Sequence, residues 1–229
     1  MDRVAFRTAL GGMGARVVVA MLERHSARLE QLPQGLIGRD PEALSRALRA
    51  AQRLYELPAV TVGDGGDVLV RAARLASGGA PEEVLATPVL AVARDAFCRL
   101  RAVLRDRAGV VVVLPDPTRL SAEADLPSPA AAAILTAAVR SFGELEPDGV
   151  ILVGRDQAPN PVHDVLAEFY GMPLIRAGAW VTPRVCLWPD LIRPAGETET
   201  PPVVVTPAEL SPELQPSEVR SRLLTALAA

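Results

Sequence analysis

Two patterns of apolar positions alternate along this chain, one at helical spacing and one in short unbroken runs. Residues 41–56 place Leu44, Ala47, Leu48, Ala51 and Tyr55 at helical intervals. They follow Asp40-Pro41-Glu42, in which Asp40 can cap, Pro41 suits the first helical position and Glu42 favours the positive end of the helix dipole. Pro58 ends that helix, and Ala59-Val60-Thr61-Val62 predicts a short buried strand closed by Gly63. The alternation then repeats. Helices are expected over 67–77, 88–106, 129–143, 161–170 and 216–228, and strands over 110–114, 150–153, 173–176, 184–188 and 203–205. Val110-Val111-Val112-Val113-Leu114 is the strongest strand, and its β-branched run predicts burial on both faces, as in a parallel sheet covered by helices. A proline-rich loop containing Pro115, Pro117, Pro127 and Pro129 is expected after it. The first 32 residues read as helical, with a break at Gly11–Gly14.

Strand and helix alternate over most of the chain, which specifies an α/β fold with a mostly parallel sheet. Five or six strands are legible in the 229 residues. A full (β/α)8 barrel typically takes about 250 residues. The expectation is therefore a reduced or incomplete (β/α)8, TIM-like barrel. It forms one domain over 1–229, with 1–37 as an N-terminal helical extension.

Composition narrows the chemistry. All 24 basic side chains are arginine and none is lysine. This excludes a Schiff-base or pyridoxal-phosphate lysine, a Walker A loop and a kinase-type phosphate lysine. Anion binding must use guanidinium forks or backbone N–H groups. A net charge of −3 and 3% aromatic residues predict no nucleic-acid partner. The apolar stretch near the start is interrupted by Arg16 and is too short for a membrane span, so a cytoplasmic protein with no membrane partner is expected. Cys98 and Cys186 have no metal-ligand or disulfide-framework spacing.

In parallel α/β folds, functional groups sit on loops after the C-terminal ends of strands. Three such segments carry candidate side chains. Gly63-Asp64-Gly65-Gly66-Asp67 offers Asp64 and Asp67, with Asp67 also placed to start a helix. Pro115-Asp116-Pro117-Thr118-Arg119 offers Asp116 and Arg119, and Gly154-Arg155-Asp156-Gln157 offers Arg155 and Asp156. His163 is the one imidazole near a strand end, whereas His25, among Glu23, Arg24 and Arg28, is expected on the surface.

The order of these segments resembles the uroporphyrinogen decarboxylase superfamily, which includes cobalamin-linked methyltransferases and cobalamin-independent methionine synthase. The stretch from Gly38 to Ala80, containing Gly66-Asp67-Val68-Leu69-Val70, looks like the family's early helix–strand–helix unit. VVVVLPDPTRLSAEADL, ELEPDGVILVGRDQ and PPVVVTPAELSPELQPSEVRSRLLTAL are similar to later units in the same order. The resemblance implies a divergent, shortened (β/α)8 barrel whose mouth binds an anionic, carboxylated ligand such as a tetrapyrrole. Asp67 stands where the decarboxylases carry a catalytic Asp. Arg119 and Arg155 would be carboxylate clamps, with Asp64, Asp116, Asp156, His163 and Tyr170 as further ligand-binding groups.

An active enzyme of this kind would be a cofactor-independent lyase. The decarboxylases' N-terminal Met-Arg-Gln-Ala-Gly-Arg segment and closing-strand histidine have no counterpart here, which counts against uroporphyrinogen decarboxylation. The methyltransferases' His-x-Cys zinc motif is absent too, which disfavours zinc-dependent methyl transfer. The alternative is a non-catalytic scaffold or regulatory partner. A shortened barrel would leave an open sheet edge, so a homodimer or hetero-complex is expected, with residues 177–201 near the gap.

Overall fold

The protein is described by a computed structural model, which places residues 1–10, 16–33, 35–77, 79–154, 160–177, 185–187, 203–206 and 209–228. The chain begins with α1 (Arg3–Leu10), β1 (Val17–Val19) and α2 (Glu23–Leu29), followed by α3 (Pro41–Tyr55) and β2 (Ala59–Val62). A single 3₁₀ turn, Asp64–Gly66, leads into α4 (Asp67–Leu75), α5 (Pro81–Leu85) and α6 (Pro88–Leu104). Next come β3 (Gly109–Pro115), α7 (Pro117–Ala124), α8 (Ser128–Gly143), β4 (Gly149–Val153) and α9 (Pro161–Phe169). The chain closes with β5 (Leu174–Ala177), β6 (Val185–Leu187), β7 (Val203–Val205) and α10 (Pro216–Ala228).

Every strand pairing is parallel. One sheet has the order β2-β3-β4-β5 and the other β1-β7-β6. The sheets meet where β1 comes alongside β2 and β5 alongside β6. The strands therefore follow one another round an incomplete TIM-like barrel in chain order, seven of them among the described residues.

The alternation of side chains along the strands sorts the core into an inner and an outer layer. Val17, Val19, Val111, Val113, Ile151, Val153, Val203 and Val205 pack together inside the barrel. Their neighbours Val60, Val62, Val110, Val112, Leu114, Val150 and Leu152 face outward against the helices. Val18 and Val204 pack outward with Val219, Leu223 and Ala226 of α10.

The N-terminal end of the barrel is plugged by α1, whose Phe6, Ala9 and Leu10 join the inner cluster. The Phe6 ring fills the space that a side chain at Gly109 would need, 2.4 Å from that glycine's would-be Cβ. Asp148, fully buried, fastens this end. It accepts Arg3 Nε at 2.7 Å and the Val110 N–H at 2.9 Å.

Two expectations are corrected here. The opening 32 residues are not all helical, because Val17–Val19 is a strand paired with Val203–Val205. The proline-rich segment after β3 is not all loop. Asp116 caps α7 and Pro117 occupies its first turn, the same start signal as Asp40-Pro41. No helix among the described residues is long and apolar enough to cross a membrane.

Candidate functional site

The C-terminal ends of β1, β2, β3 and β7 bring four segments together. Glu23 and Arg24 follow β1, and the Gly63–Asp67 turn follows β2. Asp116 and Arg119 follow β3, and Glu209 follows β7.

The turn after β2 needs its glycine. Gly63 has φ +136°, and a Cβ there would lie 2.1 Å from the Val113 carbonyl oxygen of β3. With no side chain in the way, the turn lies against β3, and its N–H groups point at Glu23. Glu23 Oε1 accepts the N–H of Gly63 at 2.5 Å and of Asp64 at 2.8 Å.

An interleaved layer of carboxylates and guanidiniums covers this turn. Arg24 donates to Asp64 through Nε at 2.8 Å and Nη2 at 3.3 Å, and its Nη2 also reaches Asp67 Oδ2 at 2.5 Å. Arg71, on the first turns of α4, lies 3.2 Å from Asp64 Oδ2. Arg119 donates to Asp67 Oδ1 at 2.5 Å and to the Gly65 carbonyl at 2.7 Å. Both Asp67 oxygens are thus occupied by guanidiniums. Each oxygen keeps one further lone pair, and the side chain is 34% exposed, so Asp67 can still accept a hydrogen bond from outside the pair.

Two carboxyl groups in the cluster favour the neutral form. Glu23 is buried, and its pKa is pushed up to about 8, chiefly by loss of hydration and next by the charge of Asp64. Glu209 is raised for the same reasons, burial first and then the charges of Glu23 and Asp64. Its Oε1 accepts the Arg24 N–H at 2.8 Å, whereas Oε2 is cut off from solvent with no hydrogen-bond partner among the described residues. Arg24 is shifted further toward its charged form, chiefly by its hydrogen bond to Asp64.

Beside this cluster opens a cleft of about 820 Å³ between α2, the segment after it and the start of α4. Its polar walls are Arg24, Arg28, Arg71, Asp64 and Glu213, and Leu32 and Ile37 supply part of the apolar floor. Arg28 pairs with Glu213, a side chain that is 77% exposed. A pair that exposed contributes little, so the Arg28 guanidinium is readily available to a ligand.

The candidates named from sequence divide three ways. Asp64, Asp67 and Arg119 converge at the mouth. Asp116 is beside them but buried, where it caps α7 by accepting the Arg119 N–H at 2.6 Å. Arg155 and Asp156 lie outside the described residues.

His163 and Tyr170 are not brought to this cluster. His163 is buried between α9 and α8, 3.2 Å from Thr136 Oγ1, and burial lowers its pKa. Tyr170 follows the C-terminal end of α9, where its ring lies over Gly143 of α8 and edge-on to Phe169. That end of the helix returns to the start of β5, opposite the mouth.

Glu23, Arg24, Arg28, Arg71 and Glu209 were missed. The first three were hidden because β1 was read as helix, so nothing marked Glu23 as following a strand. His25, expected on the surface, is buried with Nε2 2.7 Å from the Tyr55 hydroxyl of α3. That contact fixes the rotation of α2, and Arg24 and Arg28 on either flank of His25 line the cleft. A three-valine run between Arg16 and Ala20 was the available signal.

No family model matches the sequence, and no curated protein matches it. Among solved structures, a methyltransferase from Methanosarcina mazei superposes with a TM-score of 0.69, covering 99% of this chain and 97% of that one at 13% identity. At that identity the likeness shows the fold alone.

Proposed function

We propose that this protein binds an anionic, carboxylated small molecule in the cleft at the C-terminal mouth of its barrel. The observation that carries this reading is the spare donor capacity of the arginines lining the cleft. A guanidinium presents five N–H donors in a fixed fork suited to carboxylates. Arg28 spends one terminal nitrogen on Glu213, and Arg71 spends one on Asp64. The apolar floor suits a ligand that is mostly hydrocarbon or ring, with its acidic groups at the edge. Burial raises the pKa of both Glu23 and Glu209, which lowers the negative charge that such a ligand would meet.

Asp64 and Asp67 take the role of holding the arginines in place. Arg24, Arg28 and Arg71 are the proposed carboxylate-binding set, whereas Arg119, engaged with Glu123, the Gly65 carbonyl and Asp67, joins in holding the turn. The lyase chemistry implied by the resemblance would require Asp67 to act through the lone pairs left over from its two arginine contacts. That occupancy favours a second reading, in which the protein binds the ligand without transforming it.

Thermal-shift titration with a carboxylated tetrapyrrole and with tricarballylate tests the proposal, since a ligand of the folded state raises the melting temperature. The wild-type protein should shift. Arg71→Ala and Arg28→Ala should each weaken binding about tenfold, the effect of losing one charge-assisted hydrogen bond of about 1.5 kcal/mol. Binding that is absent, or that survives both substitutions unchanged, would sink the proposal. Loss of ligand carboxylate over time, followed by mass spectrometry, separates the two readings.

A further inference from the structure

The opposite end of the barrel holds a second cleft, of about 340 Å³, where α3 and α6 run down to the starts of β2 and β3. Three guanidiniums line it, Arg49 and Arg53 from α3 and Arg107 from the turn after α6. Glu56 is the one carboxylate in the lining.

The arrangement differs from that at the mouth. Arg24, Arg28, Arg71 and Arg119 each have a carboxylate partner within 4 Å. Among the described residues, Arg49, Arg53 and Arg107 have none. The polar contact recorded for Arg107 is to the Val103 carbonyl at 3.4 Å. Arg49 and Arg53 stand four residues apart on α3, outside its buried stripe of Ala43, Leu44, Ala47, Leu48, Ala51 and Tyr55. Like charges at that spacing repel and weaken a helix. The C-terminal dipole of α3 offsets this for Arg53, in the last turn, but not for Arg49 farther back.

We propose that this cleft is a second binding site, for a small polyanion carrying at least two phosphate or carboxylate groups. Three forks converging on one concavity match such a ligand, and a single added anion would relieve the repulsion among them. The volume lies at the lower end of small-molecule sites, which favours a compact metabolite over a polymer. Gln52 adds little to the site, because its Nε2 is already committed to the Leu57 carbonyl at 3.0 Å.

Isothermal titration calorimetry at low ionic strength, with inorganic pyrophosphate in one arm and tricarballylate in the other, tests the site. Either anion should bind the full chain. Arg49→Glu combined with Arg53→Glu should weaken binding tenfold or more. Arg107→Glu lies outside any helix and should weaken it similarly without the risk of unfolding α3. Arg71→Glu, at the mouth, should leave pyrophosphate binding unchanged. The proposal is overturned if pyrophosphate does not bind, or if pyrophosphate binding survives the Arg49/Arg53 and Arg107 changes. Loss on Arg71→Glu instead, or preferential binding of a single-stranded oligonucleotide that pyrophosphate does not displace, would overturn it as well.

Discussion

Asp67 and Arg119 stand 52 residues apart in the chain and 2.5 Å apart in the barrel mouth, where Arg119 Nη2 donates to Asp67 Oδ1. The contact ties the loop after β2 to the loop after β3, and Arg119 Nη1 reinforces it through the Gly65 carbonyl. A carboxylate so held is an anchor for arginines before it is an acid or a base.

Removing either partner should therefore cost stability. The side chains are only partly shielded, at 34% and 20% exposure, so screening discounts the charge contribution. Arg119→Ala should destabilise by about 1–2 kcal/mol, including the lost carbonyl hydrogen bond. Urea unfolding of Arg119→Ala, Asp67→Asn and the double variant should return a coupling energy of at least about 0.5 kcal/mol. Strict additivity would show that the pair does not hold the two loops together.

Stability should fall as pH rises across the neutral range. Glu23 has its folded pKa raised from 4.5 to about 8. Between those values the folded state keeps a proton that the unfolded chain has released. The stabilisation is complete below the lower value and is lost as pH rises through the upper one. Glu209 acts with the same sign. Glu23→Gln keeps the acceptor for the Gly63 and Asp64 N–H groups and abolishes the titration. Urea melts across this window should show a shallower fall for the variant, and identical slopes would refute the assignment.

The buried histidines act in the opposite direction. His163 and His25 have lowered pKa values, chiefly from burial, so their contribution is present above the unfolded value near 6.5 and is lost as pH falls. His163→Leu should reduce acid sensitivity below about pH 6.5. It should leave the ligand-induced melting shift unchanged, because the ring packs on Thr136 away from the mouth. A lost shift would restore His163 to the binding set.

Gly63→Ala should cost about 3 kcal/mol or more, because the residue combines a positive φ with a backbone oxygen 2.1 Å from the new methyl. Chemical denaturation measures the loss. Because Gly63 presents its N–H to Glu23, the variant should also disturb the pH profile. A variant of wild-type stability would mean that the turn has another conformation within easy reach.

Much of the architecture could be read from local pattern. Asp40-Pro41 and the stripe from Leu44 to Tyr55 predicted α3 over 41–56, against Pro41–Tyr55 in the structure. The runs at 59–62, 110–114 and 150–153 predicted the strands now seen as Ala59–Val62, Gly109–Pro115 and Gly149–Val153. A β-branched run between a proline and a glycine has few other ways to hide itself. Val17–Val19 was not legible, because three apolar residues flanked by Arg16 and Met21-Leu22-Glu23 fit a helix as well as a strand.

The sequence by itself determined the alternation of helix and strand, the all-arginine cation set, and the placing of Asp64, Asp67 and Arg119 just after the C-terminal ends of strands. Those are properties of spacing and residue type, and they need no knowledge of distant neighbours. Only the tertiary structure decided that β1 pairs with β7 and so carries Glu23, Arg24 and Arg28 to the mouth. It also decided that Asp67 is held by two arginines and that burial raises the pKa of Glu23. The physical reason is the same in each case: pairing, charge neutralisation and desolvation depend on which groups meet in space. In this barrel the groups that meet come from the ends of the first three strands and the last.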